Sequence, residues 1–316
     1  MSHRWPALFL IGWFFSPFFS EAPAQERPKP EPAVPTKAAV SYGSHPKQVL
    51  DFYQAESSEP TPVVVYIHGG GWLGGTREVN PNTVRMLHHA KISLVAISYR
   101  FTTEAEGIEP PVKAPLLDAA RAVQFVRSRA DEWNIDKQKI AATGGSAGGF
   151  SSLWLAFHDD LADPQADDPV LRESTRLACA AVNGAQTTLD PQLMQQWTPN
   201  AAAGWHAFGL RGDPEKKLSP FEQFLAERER ILPWIKEYSP IEHVTADDPP
   251  IGLYYGGKPM LGQKQADPLH NPNWGVPLAE KCRNVGVECG LYYDGAQDEK
   301  LRTSNAFLIN RLRPKQ

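Results

Sequence analysis

The chain has 316 residues, 41% of them hydrophobic and 22% charged, which is ample apolar material for one large core. Its formal net charge of −4 comes without a polybasic stretch, which excludes the electrostatic footprint of a nucleic-acid binder. No pair of cysteines or histidines has metal-ligand spacing, so neither a metal nor another cofactor is expected.

At the N-terminus, Arg4 precedes an apolar run over residues 5–19, and Ala22-Pro23-Ala24 supplies a small-residue cleavage pattern before Gln25. Together they read as a secretory signal peptide over residues 1–24. The alternative is an uncleaved anchor, although Pro6, Gly12 and Pro17 interrupt the run. No later stretch is long and apolar enough to cross a bilayer. The expectation is an exported protein, periplasmic or secreted, with no stable membrane span after cleavage. Residues 25–35 are rich in proline and charge and read as an extended linker, with the folded domain over 36–316.

Residues 38–42 and 48–53 have the pattern of an antiparallel strand pair, and residues 62–68 form the continuous apolar run of a strand buried on both faces. His68-Gly69-Gly70-Gly71-Trp72 follows directly. Backbone N–H groups can approach a negatively charged oxygen closely there, because glycine has no side chain in the way. The same residues satisfy G-x-G-x-x-G through Gly69, Gly71 and Gly74. Against a dinucleotide site stand the polar, proline-containing residues Arg77, Glu78, Asn80 and Pro81 where a helix should begin, and Lys91 where a ribose-binding acid is needed. A plain glycine-rich turn is the other reading.

Residues 92–98 form a second buried strand, and 111–130 carry helical spacing with Asp118 in the first turns, where a carboxylate suits the helix dipole. The strand-like residues 139–143 lead into Gly144-Gly145-Ser146-Ala147-Gly148, and a helical pattern follows over 150–157. G-x-S-x-G between strand and helix is a nucleophile elbow: the turn is too sharp for flanking side chains and pushes the hydroxyl into the open. Residues 177–183 form another strand. Over residues 187–248 the alternation lapses into a cap-like insertion rich in aromatic residues (Trp197, Trp205, Phe208, Phe221, Phe224, Trp234), with one helix over 219–238. A strand over 250–255, a long loop to Trp274, a helix over 276–284, a strand over 287–293 and a helix over 301–312 complete the chain. The alternation predicts an α/β fold with a mostly parallel sheet and helices on both faces.

HGGGW at 68–72, then Ser98-Tyr99-Arg100, then GGSAGG at 144–149 resembles the hormone-sensitive-lipase-type branch of the α/β-hydrolases. It is also similar to the secreted feruloyl and acetyl-xylan esterase-like proteins that share that core. The resemblance covers roughly residues 38–312. It implies an α/β-hydrolase fold, a carboxylesterase activity on a small-molecule or carbohydrate ester, Ser146 as nucleophile, and an oxyanion hole made by the backbone N–H groups of Gly70, Gly71 and Ala147. His68 is structural in that pattern. Lipase-type members often carry Asp before the serine, where this chain has Gly145.

A serine hydroxyl needs a base within hydrogen-bond reach, itself oriented by an acid. The family places the acid after the penultimate strand and the histidine after the last. Here the last strand runs on into Asp294-Gly295-Ala296, and no histidine follows His270. After the strand at 250–255 comes Gly256-Gly257-Lys258-Pro259; the first aspartate is Asp267, in Asp267-Pro268-Leu269-His270. This long loop should lie at the carboxyl edge of the sheet, on the side of Ser146. One reading makes His270 the base, oriented by Asp267 or Asp294; the other leaves both as solvated loop residues. The functions that correspond are a secreted serine hydrolase of carboxylic esters and a catalytically degenerate hydrolase that binds a ligand or partner.

Of the remaining histidines, His206 is a candidate pocket residue and His158 a dipole partner at a helix end, while His45, His88, His89 and His243 read as surface or turn residues. Asp163, Asp167 and Asp168 lack the spacing of a calcium loop. In an exported chain Cys282 and Cys289, at the end of a helix and in the next strand, are a candidate disulfide, and Cys179 reads as a small buried hydrophobe.

Overall fold

The computed structural model describes Met1 and residues 31–296 and 301–313, and every element below lies within the compact unit Pro32–Gln316. Apart from Met1, the signal peptide expected at 1–24 and the first part of the linker fall outside the described residues. Residues 31–36 have no regular structure.

Eight strands form one sheet: β1 (Lys37–Ser41), β2 (Val49–Tyr53), β3 (Thr61–Ile67), β4 (Ser93–Ile97), β5 (Ile135–Gly145), β6 (Cys179–Asn183), β7 (Ile251–Tyr254) and β8 (Cys289–Tyr292). Their spatial order is β1-β2-β4-β3-β5-β6-β7-β8. β2 pairs antiparallel with both β1 and β4, and all the other pairs are parallel. The continuous apolar runs follow from burial on both faces. Val63, Val65 and Ile67 of β3 point into one core with Ile140, Ala142, Val182 and Phe150, while Val64, Ala141 and Ala181 point into the other with Leu87 and Phe307. Helices α1 (Pro81–His89) and α8 (Ser304–Leu312) cover the second face; α2 (Lys113–Ser128), α3 (Ala147–Phe157) and α7 (Gly275–Val285) cover the first. The α/β-hydrolase fold read from the sequence is the fold observed.

Two local expectations need correction and a third is extended. A helix does begin at Pro81: Asn80 caps it by accepting from the Asn82 amide at 2.9 Å, and proline fits its first turn because no hydrogen bond is needed from that nitrogen. Asp118 does more than suit the helix dipole. It is fully buried and accepts from the Arg100 amide (2.8 Å), the Arg100 guanidinium (2.6 Å) and Gln48 Nε2 (2.7 Å), tying the exit of β4 to α2. The single helix expected over 219–238 is two, α5 (Pro220–Ala226) and α6 (Arg228–Tyr238), broken at Glu227. With α4 (Pro191–Trp197) and a 3-10 turn at Trp205–Phe208, these helices fill the segment between β6 and β7.

All three cysteines are free thiols, so the Cys282–Cys289 disulfide is not formed here. The two side chains meet as hydrogen-bond partners across the α7–β8 junction, and that contact, with burial, raises the Cys289 thiol well above its ordinary range. Cys179 is buried in β6, and burial pushes its thiol up to about 12. Among the described residues, no helix is long and apolar enough to cross a membrane.

Candidate active site

Ser146 stands between β5 and α3 at φ 51° and ψ −126°. A residue with a side chain is strained in this region, at a cost of about 1–3 kcal/mol. The conformation is held from both sides, since the Ser146 amide donates to Asn183 O at 3.0 Å and its carbonyl accepts from Phe150 N at 2.8 Å. The flanking glycines let β3 touch the elbow backbone to backbone. A Cβ on Gly144 would lie 2.4 Å from Ile67 O, and one on Gly148 only 2.0 Å from the same oxygen. Gly145 has no such requirement, because its Cβ would sit 3.6 Å from its nearest neighbour.

The glycine loop after β3 folds over the elbow. Gly70 (φ 103°) and Gly71 (φ 61°) are both in the left-handed region, and a Cβ on Gly70 would meet Gly74 O at 2.2 Å. Trp72 anchors the loop to α3 by donating Nε1–H to Ser151 Oγ at 3.0 Å. His68 stacks on Tyr99 with ring centroids 4.2 Å apart, and the Tyr99 hydroxyl donates to His68 O at 2.8 Å. From the far side, His206 Nε2–H donates to Gly71 O at 2.7 Å. Burial lowers the His206 imidazole pKa, against the opposing effect of that bond. The amides of Gly70, Gly71 and Ala147 donate no hydrogen bond among the described residues.

The long loop between β7 and α7 carries the remaining groups. His270 Nε2 lies 3.1 Å from Ser146 Oγ, and His270 Nδ1 lies 2.9 Å from Asp267 Oδ2. A carboxylate only accepts, so Nδ1 carries the proton and Nε2 presents its lone pair to the serine hydroxyl. Asp267 Oδ1 also accepts from the amides of Leu269 and His270, both at 3.1 Å. Burial pushes the Asp267 carboxyl upward, but the bonds from the His270 ring and the two amides outweigh it and hold it below its ordinary value. The alternative acid, Asp294, is used elsewhere: its carboxylate accepts from Gly257 N at 2.7 Å and its amide donates to Gly257 O at 3.1 Å, joining the ends of β7 and β8.

Several residues that position this loop escaped the sequence reading. Gly184, at φ 57°, lies under His270, where a Cβ would come within 3.1 Å of His270 Cβ. Gln186 Nε2 donates to Leu269 O, and Asn271 Nδ2 donates to Asp267 O at 2.9 Å. Asn273, fully buried, donates Nδ2–H to Trp197 O at 2.8 Å and to Met260 O at 3.0 Å. The Asn183-Gly184 pair at a strand end was a readable turn signal. The two buried asparagines gave none. Beside His270 opens a cleft of about 1030 Å³, bordered by Gly184, Tyr255, Asp267, Tyr293, Asp294 and Arg302.

Residues 50–271 match the family model described as BD-FAE. Esterase LipC of Mycobacterium tuberculosis is 26% identical over 229 residues, which is 69% of this chain and 50% of the relative. The chain thus spans about half the length of that curated relative. Among solved structures, Thermogutta terrifontis esterase 2 phosphonylated by sarin superposes with a TM-score of 0.64 at 23% identity, covering 92% of this chain and 100% of that one. An acetyl ester-xyloside bifunctional hydrolase from Caldicellulosiruptor lactoaceticus gives 0.55 at 24% identity, covering 78% and 76%.

Proposed function

We propose that this chain, which belongs to the BD-FAE family, hydrolyses carboxylic esters with Ser146 as nucleophile, His270 as general base and Asp267 as the acid that orients it. The observation that carries this reading is the unbroken hydrogen-bond line from Ser146 Oγ through the His270 ring to the Asp267 carboxylate. The esterase name of the curated relative agrees with it. The degenerate-hydrolase alternative rested on the missing histidine after β8, and His270 supplies an imidazole at the serine from a different loop.

Ser146 Oγ attacks the acyl carbon while His270 Nε2 takes its proton, and the carbonyl oxygen gains negative charge facing the amides of Gly70, Gly71 and Ala147. Collapse of the tetrahedral intermediate breaks the bond to the alkoxy oxygen, and Nε2–H returns the proton to the departing alcohol. Water then attacks the acyl-serine by the same relay and releases the acid. The cleft beside His270 is bordered by the His270 and Asp267 side of the relay and not by Ser146 or the oxyanion amides, so it is read as a place for the part of the alcohol remote from the scissile bond. Its size and tyrosine, aspartate and arginine lining suit a sugar alcohol. The protein is exported through residues 1–24 on this reading.

Hydrolysis of p-nitrophenyl acetate by the chain lacking residues 1–24 tests the assignment. Ser146→Ala and His270→Ala should each lower kcat by at least about 10³-fold, and Asp267→Asn by about 10²- to 10⁴-fold. A fluorophosphonate should label the wild type once, at Ser146. Hydrolysis that persists undiminished in Ser146→Ala would remove the mechanism.

A further inference from the structure

We propose that His158, Glu237 and His243 form a site for a divalent transition-metal ion, zinc foremost, which clamps the C-terminal end of α3 to the segment inserted between β6 and β7. One ring nitrogen from each histidine and a carboxylate oxygen of Glu237 lie within 4.8 Å of one another. His158 caps α3, Glu237 is in the last turn of α6, and His243 follows the 3-10 turn Pro240–Glu242.

The hydrogen bonding around the cluster arranges it for a cation. His158 Nδ1 lies 2.9 Å from the Asp159 carbonyl, which only accepts, so the neutral ring carries its proton there. Its Nε2 lies 3.3 Å from Glu237 Oε1, so in that tautomer the Nε2 lone pair is the one presented to the cluster. Ligands bound tetrahedrally at about 2.1 Å are separated by about 3.4 Å, so this pair already spans one edge of a zinc polyhedron. His243 Nε2 likewise donates to a carbonyl, Glu237 O at 2.6 Å, which leaves Nδ1 as the nitrogen with a lone pair. A backbone acceptor on the far nitrogen is the support that metal-binding imidazoles use. Trp154 walls the site, with its ring 4.4 Å from that of His158 and its Nε1–H held by Glu237 O at 3.1 Å.

Two imidazoles and one carboxylate select zinc, copper or nickel over calcium and magnesium, which prefer all-oxygen sites. The remaining position would be filled by water. Ser146 is about 18 Å away along α3 at 1.5 Å per residue, so the ion touches no reacting atom and acts as a brace. Binding depends on none of the roles assigned to Ser146, His270 or Asp267.

The test uses tag-free protein stripped with a chelator and titrated with zinc chloride by calorimetry, with cobalt(II) absorption as the geometric probe. We expect saturation at one ion per chain, visible cobalt bands of tetrahedral intensity, and a melting temperature that rises with zinc concentration. His158→Ala and His243→Ala should abolish all three signals, and Glu237→Gln should weaken binding at least about tenfold. His158→Gln, which keeps a polar group beside Glu237, should retain the fold by circular dichroism and still lose the ion. His88→Ala/His89→Ala should bind as the wild type does. The absence of saturable binding by the folded wild type overturns the proposal, as does binding that survives the His158→Ala/His243→Ala pair.

Discussion

Ser146 and Gly184 both occupy the left-handed region of backbone space, at φ 51° and 57°, for different reasons. Ser146 is forced there by the elbow that exposes its hydroxyl, and the G-x-S-x-G pattern announces as much. Gly184 is there so that the chain leaving β6 passes beneath His270 without a side chain. Gly184→Ala is expected to press on His270 Cβ and move its ring off the Ser146 hydroxyl, lowering kcat by about 10- to 100-fold with KM little changed. Steady-state kinetics reads this directly, and an unchanged kcat would show that the contact does not set the ring. Asp267 and His270 are three residues apart on one loop, so acid and imidazole arrive as a preassembled pair. That spacing is readable in the sequence. The 3.1 Å contact with Ser146 is not, since it spans 124 residues.

Strands and helices followed from local pattern wherever burial on both faces, or on one helical stripe, imposed it. One misreading fell where a short polar contact outweighed the pattern, the Asn80 cap that starts α1; the helix break at Glu227 has no side-chain cap behind it. The glycine loop after β3 is also held by polar contacts, those of His68 and His206. Burial lowers both imidazole pKa values, in each case against a smaller opposing effect of a glycine carbonyl. Below an ordinary histidine pKa of about 6.5 the unfolded chain takes up protons that these folded rings refuse. Their contribution to stability is therefore level above about pH 6.5, falls as pH drops toward the lowered values, and is level again below them. His206→Gln should flatten part of that fall when the melting temperature is followed from pH 8 to pH 5. A wild-type curve flat through that window would contradict it.

For the molecule as a whole, the export proposal predicts that secreted or periplasmic protein begins at Gln25, as N-terminal sequencing would show; an intact N-terminus recovered with membranes would favour the anchor instead. Within the folded unit, the amino-acid sequence by itself determined the α/β layering, the succession of strands along the chain and the two glycine turns that face each other across β3 and β5. These depend on hydrophobic period and on glycine's freedom, which act between near neighbours. Only the tertiary structure decided which histidine meets Ser146, and that His158, Glu237 and His243 converge. The first depends on Gln186 and Asn273 closing a long loop against backbone carbonyls far away in the chain. The second joins side chains 79 residues apart, from α3 and α6. Neither arrangement has a local period, because the hydrogen bonds that make it connect segments whose neighbourhood exists only after the sheet has formed.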